Sequence, residues 1–149
     1  MFFKEPTGVY WHLLNVAVET TARRYVMSVA TDTNVQELDR HLNEQVLSGK
    51  ALEAFEKLYA DDVVMQENSE APRVGKAANR KAEEDFFASV EQWHSGKVVA
   101  SAVNGDVSFS EWEMEITFKG GHRVTMSQVA VRRWKDGKVV HERFFYNKG

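Results

Sequence analysis

VSFSEWEMEITF, residues 107–118, decides how this chain folds. Successive side chains of an extended strand point to opposite faces, so Trp112, Met114, Ile116 and Phe118 share one side while Glu111, Glu113 and Glu115 share the other. That is the pattern of a strand with one face on a core and one in water. Val107 and Phe109 stand out of phase with Trp112, which predicts a β-bulge near Ser110 and Glu111 and places Phe109 among the inward aromatics. A bulge bends a sheet, and a bent sheet can enclose a cavity.

The same period of two runs on both sides of this stretch. VVASAV (98–103), HRVTMSQVAVRRW (122–134) and KVVHERFFYN (138–147) are its neighbours, joined at Asn104-Gly105, Gly120-Gly121 and Asp136-Gly137, each a strong hairpin signal. Four strands in this order make an antiparallel meander. Val124, Met126, Gln128 and Ala130 form the inner row of the third, and Val140, Glu142, Phe144 and Tyr146 that of the fourth. The opposite row of the last strand, with Val139, Arg143 and Phe145, is not cleanly polar either. A sheet whose second face is partly apolar predicts a homodimer through that outer face.

Upstream the period is 3.6. Thr33 and Asn34 are good N-caps, Glu37 completes a capping box, and Leu38, Leu42 and Val46 make one apolar stripe that stops at Gly49. Lys50 to Ala60 restarts the helical spacing with Leu52, Phe55, Leu58 and Tyr59. A strand follows through Val63, Met65 and Glu67. Residues 69–75, with Pro72 and Gly75, read as a loop, and Lys76 to Trp93 as a third helix carrying Ala78, Ala82, Phe86, Phe87 and Val90. The fold class is therefore α+β: three N-terminal helices packed on one face of a strongly curved, mostly antiparallel sheet.

A chain of 149 residues, 43% hydrophobic, is sized for one domain, here residues 33–149. Residues 1–32 read as an extension, loosely attached or a short amphipathic helix, with Met27 as an alternative start. Its apolar run, Val9 to Val18, is about half the length of a membrane span, and MFFKEP with no following A-x-A site makes a poor secretory signal. No membrane partner is expected. A net charge of -3 with interspersed basic residues argues against nucleic acid. The absence of cysteine removes disulfides, thiol nucleophiles and thiolate metal sites, so a reducing cytoplasm is the default location.

Candidate chemistry lies on the inner rows. Glu67 beside Met65, Gln128 beside Met126, and Glu142 beside Phe144, with Trp112 and Tyr146 as aromatic lining, give a few polar groups in an apolar recess, as in small-molecule pockets. A desolvated carboxyl there has a raised pKa and can act as proton donor or acceptor. Each residue has a plainer alternative: Glu67 reaching water, Arg73 or Lys76; Glu142 hydrogen-bonded or on the opposite face; Gln128 and Tyr146 as satisfied structural groups. The five histidines show no H-E-x-x-H spacing, so packing or surface roles are expected, with His94 near the pocket mouth. GKAANRK (75–81) lacks the second glycine and the Ser or Thr of a P-loop, and no G-x-S-x-G element is present. No cofactor or metal is required by this set.

The helix pair ending in YADD (59–62), the APRVGKAANRKAEEDFF segment (71–87) and the terminal DGKVVHERFFYN (136–147) resemble the nuclear transport factor 2-like superfamily, and within it the SnoaL-like group. The resemblance covers about residues 33–149 and implies a cone-shaped α+β fold with a deep pocket and dimerisation through the sheet. Members include ketosteroid isomerases, polyketide cyclases, epoxide hydrolases, dehydratases and proteins without catalysis. By this resemblance Glu67 stands where the isomerases have their general base, while Asn43 and Ala130 stand where they have oxyanion donors, so steroid isomerisation is disfavoured. Two pocket aspartates around an arginine mark the epoxide hydrolases; the last two strands here offer only Asp136, in a turn, which disfavours that activity too. What remains is a pocket protein for an apolar, carbonyl-bearing small molecule, possessing Glu67 or Glu142 as base and Gln128 and Tyr146 as orienting groups. The alternative is a non-catalytic ligand-binding or dimeric scaffold protein.

Overall fold

In the computed structural model the backbone is described for residues 9–147 and the side chains for 18–27 and 34–147. The elements are α1 (Val9–Leu47), α2 (Ala51–Leu58), β1 (Tyr59–Glu67), β2 (Arg73–Val74), α3 (Lys76–Ser89), β3 (Val90–Asn104), β4 (Val107–Phe118), β5 (His122–Lys135) and β6 (Lys138–Tyr146). One six-stranded sheet has the order β2-β1-β6-β5-β4-β3. Strands β3 to β6 form the antiparallel meander, and β1 joins β6 in parallel. The sheet is mostly antiparallel and the fold α+β, as the sequence periods require.

Local chemistry sets the joints. Gly49 takes φ 78°, which ends α1, and Lys50 N–H closes the turn on Gln45 O at 2.9 Å. Asp136 and Gly137 both have positive φ and lie between the paired Lys135 and Lys138, a two-residue hairpin whose twist matches the strands. At the start of α3 the GKAANRK segment puts Asn79 fully inside, where Nδ2 lies 3.2 Å from Val63 O, 3.0 Å from Arg73 O and 2.9 Å from Gly75 O. This amide fastens the helix to β1 and β2.

Several expectations are corrected. Helix α1 does not begin at Asn34 but runs through it from Val9, and the described side chains of residues 18–27 are exposed. Helix α3 ends at Ser89, so Trp93 belongs to β3, and residues 69–75 include the short strand β2. The bulge expected in β4 is absent: β4 pairs with β5 without a slip, and Ser108 and Ser110 point inward at 0% exposure while Phe109 is on the outer face. The slips lie in β3, where Glu91, His94 and Val99 are each an extra residue against β4. On β6 the extra residue is Val140, so Val139, not Val140, is buried before Glu142 turns inward.

Two apolar clusters result. Val35, Leu42, Phe55, Val63, Met65, Trp134 and Val139 hold α1 and α2 to one side of the sheet, with Phe55 stacked on Tyr59 at 4.4 Å. Trp112, Met114, Ile116 and Ala130 form the other, with Phe86 and Phe118 packed on it. A polar network and an open cavity lie near where they meet.

Candidate functional site

The floor of this region is built around Arg132, which inherits its inward position from the period of Gln128 and Ala130 on β5. Its Nε donates to Glu142 Oε1 at 2.6 Å, and Nη1 donates to Asp39 Oδ1 and to Asn43 Oδ1, each at 2.8 Å. Glu142 Oε2 accepts from the Tyr59 hydroxyl at 2.6 Å. Asp39 accepts further from Ser108 Oγ at 2.7 Å, Ser110 Oγ at 2.7 Å and Asn43 Nδ2 at 3.0 Å. This explains the missing β4 bulge: Ser108 and Ser110 face inward because a buried carboxylate on α1 needs hydroxyl donors, which leaves Phe109 to solvent.

Burial alone would raise the pKa of Asp39, but Arg132 and the serine hydroxyls outweigh it and hold the carboxyl below its usual range. Burial and then Glu142 push the Tyr59 hydroxyl well above 10.0, so it stays protonated and donates. Arg132, despite burial, is held charged by Glu142, Tyr59 and Asp39. A carboxylate–arginine–carboxylate arrangement is thus present. It does not show as paired aspartates on the last two strands, because one member is a glutamate and the other comes from α1.

Above this floor opens a cavity of about 350 Å³. All eight residues singled out from the sequence lie on its wall: Glu67, Glu142, Met65, Trp112, Met126, Gln128, Phe144 and Tyr146. Phe109 does not; it is 39% exposed on the outer face. His94 is not on the wall either, its Nε2 lying 2.7 Å from Thr117 Oγ1. Asp39 is hidden behind Arg132 and makes no part of the lining. Trp112 is buried, and its indole Nε1 is the buried side-chain polar atom left without a partner among the described residues.

Glu67 hydrogen-bonds the Tyr146 hydroxyl, whose pKa is raised by burial and then by that carboxylate. Its suggested plainer partners are engaged elsewhere: Lys76 with Glu56 at 3.3 Å, and Arg73 with Asn79 Oδ1 at 3.4 Å.

One lining residue was not foreseen. Glu83 on α3 projects into the cavity beside Ala82, Phe86 and Phe87. Its carboxyl makes no hydrogen bond and no ion pair with another described residue. Burial, then the nearby Glu142 and Glu67, push its pKa up to about 7 against a weaker opposing pull from Arg73. The signal was available: Asn79, Ala82, Glu83, Phe86, Phe87 and Val90 follow the i, i+3, i+4, i+7 rule better than a stripe through Ala78, which is exposed.

A family model described as SnoaL-like domain matches residues 32–146. The chain belongs to the SnoaL-like family. Among solved structures, this SnoaL-like chain is 32% identical to a Mesorhizobium loti protein provisionally assigned as a SnoaL-like polyketide cyclase, with a TM-score of 0.67 over 75% of this chain and 98% of that one. A Jannaschia protein given the same provisional assignment matches at 15% identity and a TM-score of 0.71, over 78% of this chain and 88% of that one. An epoxide hydrolase of Mycobacterium tuberculosis shares the fold at 14% identity and a TM-score of 0.65, over 78% and 84% of the two chains. The nuclear transport factor 2-like architecture is thereby established, and neighbours of this fold carry differing activities. No curated protein matches the chain in sequence. No described helix is long and apolar enough to cross a membrane.

Proposed function

We propose that this SnoaL-like protein binds an apolar, carbonyl-bearing small molecule in its cavity and moves a proton on it, with Glu83 as the acid/base group. The observation that carries the reading is an unpartnered carboxyl, with a pKa of about 7, on the wall of an otherwise largely apolar cavity. A general base is most effective when its pKa lies near the working pH, and it must be free to reach the substrate. Glu83 meets both conditions. Glu142 already accepts from Arg132 and Tyr59, which suits it to fixing charge on the floor. Glu67 is occupied by Tyr146. Gln128 is the lining amide left to orient a ligand oxygen.

The test is hydrogen–deuterium exchange at the carbons flanking the carbonyl of 4-phenyl-2-butanone, followed by NMR. Exchange should accelerate with protein, rise with pH through about 7, and fall roughly 100-fold in Glu83→Gln while surviving in Glu67→Gln. Equal exchange with and without protein, under conditions where the ketone is bound, refutes proton transfer.

The non-catalytic alternative has one observation in its favour. Asn43, which the family resemblance places at an oxyanion donor, is consumed by Arg132 and Asp39, and Ala130 has no donor to give. Saturable ketone binding without exchange would establish that reading.

We also infer a homodimer through the outer sheet face, where Val99, Phe109, Val129 and Phe145 are all exposed large apolar side chains. Light scattering at micromolar concentration should return twice the chain mass, and Phe109→Asp should return it to one.

A further inference from the structure

The cavity carries more negative than positive charge. Glu67, Glu83 and Glu142 line it against two cations, Arg73 and Arg132. Arg132 is also claimed by Asp39 from behind, through an ion pair of 2.8 Å, so its charge is spent on two carboxylates. Of the three lining carboxyls, Glu142 and Glu67 have donors within the protein, whereas Glu83 has none among the described residues. An unpartnered carboxyl on the wall of a largely apolar cavity calls for a donor or a positive charge from outside. Aromatic rings, Phe86, Trp93 and Trp112 among them, share the rest of the wall with aliphatic and methionine side chains, and ring faces attract a cation in a desolvated site. No group of three His, Asp or Glu side chains among the described residues is placed to share a metal ion. The charge therefore suits an organic cation.

We propose that the ligand of this cavity carries a single positive charge, an ammonium group on the same apolar, carbonyl-bearing body, seated between Glu83 and the aromatic rings of the wall. The proposal rests on the reading of the cavity as a ligand site and adds the ligand's charge to it. Binding and protonation are then linked. Tyr59 and Glu67 on β1, Arg73 on β2 and Glu142 on β6 interact with Glu83, and Arg132 on β5 and Tyr146 on β6 line the same cavity. Without a ligand, burial and then the neighbouring Glu142 and Glu67 favour a proton on Glu83 and raise its pKa to about 7. A bound cation takes the place of that proton, so cations bind more tightly as pH rises through this range.

A matched pair of probes tests this on the full chain: benzyltrimethylammonium, which cannot titrate, and its neutral carbon isostere neopentylbenzene. Affinities are read from methyl NMR shifts of Met65 and Met126 and from calorimetry. The expected result is a preference of about tenfold or more for the cation at pH 8, from one desolvated charge contact, shrinking several-fold by pH 6. In Glu83→Gln the preference drops and its pH dependence flattens, while Glu67→Gln keeps a pH dependence whose midpoint moves to lower pH. Equal or tighter binding of the neutral isostere by the unmodified protein at pH 8 overturns the inference and leaves the cavity as a ligand site. A cation preference that does not vary between pH 6 and pH 8 removes Glu83 from it. Failure of both probes to move the methionine resonances at millimolar concentration overturns the ligand-site reading as well.

Discussion

The floor of the cavity buries its carboxyl groups and the α3 wall half-buries one, and they resolve the cost in opposite ways. On the floor, Asp39 and Glu142 share Arg132, and two serines, an asparagine and a tyrosine supply the remaining donors. On α3, Glu83 has no donor among the described residues, and burial with the nearby Glu142 and Glu67 raises its pKa to about 7 instead. A buried charge network with every member satisfied fixes geometry, since removing any one partner leaves the others uncompensated. An unsatisfied carboxyl beside a void costs stability when ionised and is free to bond to something else. The difference separates a structural floor from a reactive wall within one cavity.

The contrast breaks most visibly at Arg132. Replacing it with methionine keeps the volume but strands Asp39 and Glu142, and should cost about 3–5 kcal/mol, measured by urea unfolding. A loss under 1 kcal/mol would mean that the floor is solvated.

Glu83→Gln should act in the other direction and depend on pH. The folded-state pKa of about 7 exceeds the ordinary glutamate value of 4.5, so between these values the native state holds more proton than the unfolded chain. Stability therefore falls as pH rises through that window and stays low above it, by up to about 3 kcal/mol for a shift of this size. The variant should be more stable than the parent at pH 8 and nearly equal near pH 4. Asp39 has the opposite sign: its lowered pKa gives stability that is present above 3.8 and is lost as pH falls through its folded value. Thermal unfolding of Glu83→Gln and the parent across pH 4 to 8 separates the two.

A smaller effect is expected at Tyr59→Phe. Glu142 loses one donor but retains Arg132, so about 1–3 kcal/mol is lost, and Phe55 should still stack on the ring. Chemical denaturation of this variant sharpens the comparison by showing how far the floor survives the loss of one neutral partner.

Much of this arrangement was legible in the sequence because a strand has a period of two and the meander has long strands. Met65 and Phe144 fixed the faces on which Glu67 and Glu142 lie, and Met126 did the same for Gln128. The phase failed where a single extra residue entered, at Val140 and along β3, because hairpin chemistry sets the turns but not the bulges within a ladder. It failed again at Ser108 and Ser110, where apolar Val107 and Phe109 suggested the wrong inward face. What turns the serines inward is Asp39, some 70 residues away in the chain, and no local pattern reports such a contact. Asp39 itself sits one residue from Leu38 on an amphipathic helix, where a carboxylate ordinarily faces water. Glu83 was harder to see for the same reason: α3 is rich in charge, and one acid on its apolar stripe resembles the acids beside it.

The division between floor and wall rests on the protonation of Glu83, and carboxyl carbon NMR of the glutamates, titrated from pH 3 to 9, measures it directly. The account predicts that one glutamate, assigned by its disappearance in Glu83→Gln, titrates near 7. A Glu83 midpoint near the ordinary value of about 4.3 would contradict it.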